Sequence, residues 1–351
     1  MDAVTLLLTG LVLCRLAPCP SAGWRRVLIL VGVGSLWPDV DAIPVVWDGS
    51  ARLEQYGPSH ALFAVAVVPP LLAFVVTLIP DARHPGRPPL LPLCVLAYAL
   101  GLFHLLLDVL TAQGVGLLFP VVTRRFALDW LLPGDPVLWV LLAFGVVAPL
   151  LGANPLRASV YVVTAAGLYV GLLGAAHNVA RAQGVALARK EGFDLEEAYA
   201  FPESPGGLFF NVVVVHEEEV LQRPVDLFGP PRAGWRFHRG LEEPLVEEFL
   251  DTPLGRAWAA RARVMAASSD LVGILGDGYE VWVRDLARYR RFAAPQHGTP
   301  YDARARFDLD AHLKEAALYF PPATTPDEPP PFPTRARAVL PLPAPAAGGR
   351  R

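Results

Sequence analysis

Two ionisable side chains lie about one helical turn apart inside one of the most apolar stretches of the chain. His104 and Asp108 are separated by three leucines, and residues at positions i and i+4 of a helix project from the same face. An imidazole and a carboxylate so arranged can hold one divalent ion, or two neighbouring ions, from a rigid helix. The alternative is a His–Asp hydrogen bond that only stabilises a helix bundle. Ionisable groups at membrane depth are costly and usually mark function.

Two carboxylates follow a second apolar run. Pro38 ends that run because proline denies a helix a backbone donor, and Asp39 and Asp41 come directly after it. Alternate residues of an extended segment point the same way, so both carboxylates would face one cation. Without a cation they would repel each other and raise a pKa. The alternative is a solvated polar turn at the membrane surface.

A third polar pair opens the next apolar run. Ser59 is a good residue for a helix N-cap, which would place His60 in the first turn of the following helix, facing the polar layer. His60 is then either a metal ligand or an interfacial histidine. Gly32, Gly34 and Ser35 form a small-residue patch suited to close helix packing.

Basic side chains follow the HLLLD segment. Arg124 and Arg125 would bind a phosphate or carboxylate of a substrate, or would equally anchor lipid headgroups. His177 either joins the site or is an interfacial histidine. The sequence has no GxSxG and no CxxC motif, which disfavours covalent nucleophilic catalysis and a disulfide framework.

The composition is that of a membrane protein. The chain of 351 residues is 53% hydrophobic with a mean hydropathy of +0.39, too apolar for an ordinary soluble domain. Charges are sparse up to about residue 178 and frequent afterwards. The net charge of -3 says nothing about nucleic acid, but the chain has no long basic run, and we expect no nucleic-acid partner. Because Asp2 stands where a basic n-region is expected, we expect no cleavable signal peptide.

The apolar runs define the predicted architecture, and several reach the roughly 20 residues that span a bilayer. We predict a polytopic α-helical bundle of four to six membrane helices with a soluble C-terminal α+β domain. The boundaries are 1–180 for the membrane domain, 181–320 for the soluble domain and 321–351 for a disordered Pro/Ala-rich tail. The runs are 3–17, 24–38, 60–80, 90–110, 137–153 and 158–178. If all six cross the membrane, the polar motifs share one face and form one site.

The C-terminal half mixes strand and helix patterns. Segments 208–216 and 279–283 are rich in β-branched or aromatic residues and predict strands. Segment 244–268 predicts one helix, because acidic residues come early and basic residues late, as the helix dipole favours. This domain could bind a protein partner.

Together these motifs resemble a family of bacterial inner-membrane proteins described as metal-dependent hydrolases, also called LexA-binding or YdjM-like. Pro38-Asp39-Val40-Asp41 matches the family's Pro-Asp-x-Asp. The stretch from His104 to Thr111, continuing through Phe119-Pro120 to Asp129-Trp130, matches its HxxLD helix and following loop. Asp285 to Tyr289 is similar to an Asp-x-Arg-Tyr strand of longer members. The resemblance implies a multi-pass location in the bacterial inner membrane.

The chain departs from the family at two positions. Thr5-Leu6 stands where the family has Thr-His, and Gln55 stands at the first histidine of its His-Arg-Gly-x-Thr-His-Ser motif. A site of two or three metals is therefore not expected. The HLLLD segment is also similar to the HxxxD helix of zinc-dependent phospholipase C and nuclease enzymes, which implies a phosphoester substrate.

These observations predict a membrane-bound hydrolase in which Zn²⁺ or Mn²⁺ activates a water to attack an ester or phosphoester. The predicted ligands are Asp39, Asp41, His60, His104 and Asp108. Asp39 and Asp108 are the candidate catalytic carboxylates, with Arg124 and Arg125 on the substrate and membrane lipid as a partner. The competing hypothesis is a catalytically degenerate membrane scaffold with a residual polar site. A transporter is weaker, because the charges cluster at one face and no broken-helix repeat is evident.

Overall fold

The structure is a computed structural model that describes residues 1–16, 22–46, 58–122, 124–193, 195, 197–232, 234–259, 262–272, 278–286, 302–310 and 312–319. The predicted tail 321–351 lies outside the described residues. The chain divides into two compact units, Met1–Gly174 and Ala175–Arg351. The first is helical, and the second contains two β-sheets.

The first unit is built from apolar helices that follow the predicted runs. They are α1 Ala3–Leu16, α2 Trp24–Leu36, α3 Leu62–Thr77, α4 Leu90–Val109, α5 Pro136–Val147 and the beginning of α6 Pro155–Lys190. A 3₁₀ segment, Trp37–Val46, continues directly from α2. Since Pro38 has no N–H to continue the α-helical ladder, the chain leaves the α-helix here.

Two of these helices are long and apolar enough to cross a membrane, among the residues that the structure describes. They are Leu90–Val109 and Pro155–Lys190, whereas Ala3–Leu16, Leu62–Thr77 and Pro136–Leu151 are apolar but shorter. The prediction of a helical N-terminal region followed by a sheet-containing domain is confirmed. The prediction of four to six membrane helices is not confirmed by helix length.

Helices pack closely around the C-terminal end of α2. A Cβ atom added at Gly10 of α1 would collide with the Ser35 hydroxyl, and one added at Gly34 would lie 2.8 Å from Leu100 Cδ1 of α4. Gly34 therefore packs closely, as the small-residue patch predicts, whereas Gly32 faces open space. These approaches hold α1, α2 and α4 together at the level of Ser35.

The two ends of the helical unit differ in chemistry. At one end Asp2 accepts hydrogen bonds from the Gly134 amide and the Trp139 indole, at 2.9 and 3.1 Å. At the other end the buried Arg26 donates to the carbonyl oxygens of Ile79 and Gly86. Arg26 thereby ties the ends of α2 and α3 to the turn before α4.

The second unit contains two antiparallel four-stranded meanders, together with α7 Pro244–Leu250 and α8 Pro253–Ala259. The strands are β1 Glu197–Pro202, β2 Phe209–His216, β3 Glu219–Asp226, β4 Trp235–His238, β5 Met265–Val272, β6 Gly278–Asp285, β7 Asp302–Phe307 and β8 Leu313–Tyr319. Strands β2 and β6 confirm the two strand predictions. The final part of α6 packs on the first sheet, where Gly184 lies against Val212.

The prediction of a single helix over 244–268 is wrong. Helix α7 ends at Leu250, and α8 begins at Pro253, whose missing N–H interrupts the ladder. The Thr252 hydroxyl accepts a hydrogen bond from the Gly255 amide and so caps the new helix. Residues from Met265 onward pair with β6 instead of continuing the helix.

Candidate metal centre

Three segments of the chain deliver the predicted ligands to the same end of the helical unit. The 3₁₀ segment after α2 carries Asp39 and Asp41, and His60 lies just before α3. His104 and Asp108 occupy the last turns of α4. Since α2 and α4 end where α3 begins, the five side chains meet at one end of the bundle. The distances between their imidazole nitrogens and carboxylate oxygens show this convergence.

His104 is held from behind by a backbone carbonyl. Its Nδ1 atom lies 2.7 Å from the carbonyl oxygen of Ser35. Because a carbonyl can only accept a hydrogen bond, Nδ1 is the protonated nitrogen, and in the neutral ring Nε2 carries the lone pair. That Nε2 atom lies 3.1 Å from Asp108 Oδ2 and 3.7 Å from Asp39 Oδ1. The helix spacing predicted from the sequence thus directs imidazole and carboxylate to one point.

His60 approaches the same point from the opposite side. Its Nε2 atom lies 3.6 Å from Asp39 Oδ1 and 3.4 Å from Asp108 Oδ2. The ring centroids of His60 and His104 are 5.2 Å apart, with an interplanar angle of 61°. Two Nε2 atoms and two carboxylate oxygens therefore converge, contributed by Asp39, His60, His104 and Asp108.

Asp41 has a different position from the other four. Its Oδ2 atom lies 3.1 Å from His60 Nδ1, on the far side of the imidazole ring from Asp39 and Asp108. The Ser59 hydroxyl donates to the same oxygen at 2.7 Å. A carboxylate that accepts from one ring nitrogen orients the other nitrogen, as the outer carboxylates of zinc-bound histidines do. The geometry makes Asp41 an orienting group for His60 rather than a direct ligand.

The prediction that Ser59 caps the following helix is wrong. The N-cap residue of α3 is Ala61, which makes no side-chain capping hydrogen bond. Ser59 instead joins Asp41 and lies 3.1 Å from His60 Nδ1. The adjacency of Ser59 and His60 is the signal in the sequence that points to this role.

The site is buried, and its exposure is uneven. The side chains of His60 and His104 are 0% exposed and that of Asp108 is 1% exposed, whereas Asp39 is 29% exposed. Asp39 is therefore the most solvent-exposed member of the cluster. The N-terminal ammonium of Met1 also pairs with Asp108.

The carboxylates of the cluster change the pKa of His60. Burial lowers the pKa of its imidazole, but hydrogen bonds to the Asp108 and Asp39 carboxylates act in the opposite direction and are supported by Asp41. The net effect raises the pKa of His60 to about 11. In metal-free protein a protonated His60 would, together with the Met1 ammonium, balance part of the carboxylate charge.

The donor geometry fits a divalent metal ion. Ligand atoms roughly 2.0–2.2 Å from a tetrahedral ion lie roughly 3.3–3.6 Å from one another. The four nitrogen–oxygen distances given above range from 3.1 to 3.7 Å. His104 Nε2 and Asp108 Oδ2 are buried and make no aligned hydrogen bond within the described part of the chain. Two imidazoles and two carboxylates suit Zn²⁺ or Mn²⁺.

Three further predicted participants are Arg124 and Arg125, in a loop of the first unit, and His177, in the second unit. Arg124 is exposed and Arg125 is half-buried, in the loop between α4 and α5. Leu117 of that loop accepts a hydrogen bond from the Leu62 amide, which brings the loop to the start of α3. The His177 ring instead packs against Phe210 in the second unit, with centroids 6.3 Å apart.

The positions of the expected family histidines contain no described ligand. Leu6 is 2% exposed and packs in an apolar cluster with Leu107 and Leu110. Gln55 lies outside the described residues, as do Arg288 and Tyr289 of the C-terminal motif. An apolar Leu6 leaves the site with the single set of donors described above.

Comparison with known families identifies a match in the N-terminal half of the chain. The family model of the YdjM inner membrane protein matches residues 1–180, which include all five predicted ligands. The chain belongs to the YdjM inner membrane protein family. This membership supports a location in the inner membrane. No curated protein and no solved structure matches the chain.

Proposed function

We propose that this member of the YdjM family is a metal-dependent membrane hydrolase with one divalent ion, Zn²⁺ or Mn²⁺, per chain. The observation that carries the proposal is the convergence of Asp39, His60 and His104 as a group that could hold a metal ion, with Asp108 Oδ2 within 3.4 Å of both Nε2 atoms. A bound ion of this kind supplies Lewis acidity, which brings the pKa of a coordinated water towards neutrality. The expected reaction is hydrolysis of an ester or phosphoester.

The residues around the proposed ion have different roles, which depend on their positions. Ser35 and Asp41 fix the two imidazoles through their Nδ1 atoms, so that both Nε2 atoms face the same point. Asp108 is buried and serves as a ligand. Asp39 is the accessible carboxylate, so it is suited to accept a proton from the attacking water as well as to bind the ion.

Substrate binding is assigned to the loop after α4. The exposed Arg124 and its neighbour Arg125 would hold a phosphate or carboxylate of the substrate by charge-assisted hydrogen bonds. The C-terminal unit is proposed to bind a protein partner, and membrane lipid surrounds the helical unit.

A multi-pass arrangement is part of the proposal. Large apolar side chains are exposed at helical spacing along α3, as at Phe63, Val67, Leu71 and Phe74. Along α5, Val140 and Phe144 are 70% and 64% exposed. Exposed apolar surface of this extent marks a surface that contacts lipid or another protein. Short helices can be accommodated by bilayer thinning or by packing against longer neighbours.

One observation favours a second candidate function. Protonated His60 can balance the carboxylates of Asp39 and Asp108 without a metal, so the cluster would also serve as a polar link between helices. In that case the protein is a scaffold with a degenerate site.

Assays of purified, metal-loaded protein distinguish the two functions. Zn²⁺- and Mn²⁺-loaded samples are offered chromogenic carboxyl esters, phosphomonoesters and phosphodiesters, and a phospholipid in mixed micelles. We expect hydrolysis of at least one class, lost on chelation and in His104→Ala but kept in His177→Ala. Loaded wild-type protein that hydrolyses none of them, or no faster than His104→Ala, would support the scaffold.

A further inference from the structure

The loop between α4 and α5 carries an apolar tip next to the metal centre. Residues 118–122, here called the tip, are Leu-Phe-Pro-Val-Val. Val121 is 89% exposed, Leu118 is 44% exposed and Val122 is 37% exposed. Consecutive exposed apolar residues on a connecting loop are unusual for a surface in water. Neither the metal centre nor the proposed chemistry uses these side chains.

Backbone hydrogen bonds fix where the loop lies. The amides of Trp130 and Leu131 both donate to the carbonyl of Leu110, at 2.9 Å, just after α4 ends. Val115 and Phe126 pair as an antiparallel bridge, which closes the loop below the tip. Both ends of the loop are thus attached to the end of a candidate membrane span, the end that carries His104 and Asp108.

A further hydrogen bond joins the base of the tip to the start of α3. The Leu62 amide donates to the Leu117 carbonyl at 2.9 Å. Leu62 follows His60 by two residues, and Leu62 and Phe63 are themselves 45% and 73% exposed. The exposed apolar surface of α3 therefore lies beside the base of the tip.

A cationic side chain lies two residues beyond the tip. Arg124 is exposed, two residues after Val122. An apolar segment that ends in an exposed cation matches the layering of a bilayer, in which acyl chains lie below a plane of phosphate groups. Inner-membrane leaflets contain anionic phospholipids, which supply the complementary charge.

We propose that the tip is a lipid-binding surface: it enters the bilayer beside the metal centre, and Arg124 contacts an anionic lipid phosphate. The partner is the bilayer itself, in the headgroup region and the adjoining acyl chains. The proposal concerns binding only, so it stands or falls independently of hydrolysis. If it is correct, the metal centre faces lipid headgroups, which become the nearest supply of phosphoester substrate.

Nitroxide accessibility measures the environment of the tip in the full chain. Single cysteines are introduced as Val121→Cys at the tip, Leu102→Cys on the exposed surface of α4 and Glu242→Cys at an exposed position of the C-terminal unit. The background has Cys14, Cys19 and Cys94 replaced by alanine. Each labelled protein is reconstituted into phosphatidylcholine vesicles, and collision with oxygen is compared with collision with a water-soluble nickel chelate.

We expect the label at 121 to resemble the label at 102, with oxygen collisions exceeding nickel collisions. A label at 121 that resembles the label at 242 would overturn the proposal. So would a label shielded from both reagents, because the tip would then be covered by protein.

The role of Arg124 is tested in the same vesicles with added phosphatidylglycerol. We expect the anionic lipid to move the label at 121 deeper, and Arg124→Gln to cancel that shift. An unchanged depth with phosphatidylglycerol, or the same shift produced by inorganic phosphate alone, would overturn the assignment of a lipid phosphate to Arg124.

Discussion

The Nε2 atom of His104 and the Oδ2 atom of Asp108 lie 3.1 Å apart, one turn along the same helix, and both are buried. The Nδ1 atom of His104 donates to Ser35, so this ring presents a lone pair to the carboxylate whenever it is neutral. A lone pair facing a carboxylate is repulsive unless a proton or a metal ion lies between them. The pair is therefore organised around a cation.

Replacing Asp108 by Asn should reduce both the bound metal and the stability of the protein. The change keeps the shape of the side chain but removes the buried charge that lies closest to His60 Nε2. Leaving a buried imidazolium with less compensation should lower the free energy of unfolding of metal-free protein by about 3 kcal/mol. Unfolding in detergent measures this loss. Asp251→Asn, at the exposed end of α7 in the second unit, is the control and should leave metal content unchanged.

Asp41 and Asp39 should behave differently when each is changed to Asn. Because Asp41 contacts only the Nδ1 side of His60 among the metal-centre rings, Asp41→Asn should weaken metal binding by about 10–100-fold while a stoichiometric site persists. Asp39→Asn removes a direct ligand and should bind more weakly still. Titration with a competing fluorescent chelator measures both affinities. Equal losses would show that Asp41 is itself a ligand.

Stability and metal affinity should respond to pH in opposite directions. The folded pKa of His60, about 11, lies above the ordinary value of 6.5. Its stabilising contribution to metal-free protein is therefore fully present below pH 6.5 and is lost as the pH rises towards 11. Metal binding requires the neutral ring, so apparent affinity should increase with pH and binding should release a proton.

Unfolding and metal titrations between pH 6 and pH 10 check both trends. In His60→Gln the decline of metal-free stability with pH should flatten. If the metal affinity of the wild type does not change with pH and no proton is released, His60 does not lose a proton when the metal binds.

The shorter helices should be shielded by lipid if the protein crosses the membrane several times. Helix α5 is only 12 residues long, and its Phe144 side chain is 64% exposed. In sealed vesicles, Phe144→Cys should resist a membrane-impermeant maleimide and should react after detergent is added. Glu242→Cys in the C-terminal unit should react in at least one vesicle orientation before detergent. Rapid labelling of Phe144→Cys in intact vesicles would place α5 in water.

Much of the helical unit could be predicted because apolar runs and prolines determine where helices form and end. The convergence of Asp39, His60, His104 and Asp108 followed from the alternation of those helices. The roles of Ser35 and Asp41 could not be predicted, since they depend on which ring nitrogen each contacts. Sequence cannot report that choice, because it depends on how the segments pack together in three dimensions.

The C-terminal unit shows where local patterns fail. The strands β2 and β6 were predictable from runs of β-branched and aromatic residues. Segment 244–268 was predicted as one helix because its charges match a helix dipole, yet residues from Met265 form a strand that pairs with β6. Tertiary pairing of small buried side chains such as Ala266 and Ala267 outweighs that weak local preference.

Metal content tests the central claim most directly. Detergent-purified wild-type protein is offered Zn²⁺ or Mn²⁺, dialysed and measured by mass spectrometry beside the His104→Ala/Asp108→Ala double variant and the His177→Ala control. The account predicts close to one ion per chain in the wild type and in His177→Ala, and loss of that ion in the double variant. Wild-type protein without bound metal, or a double variant that keeps it, would contradict the metal centre described here.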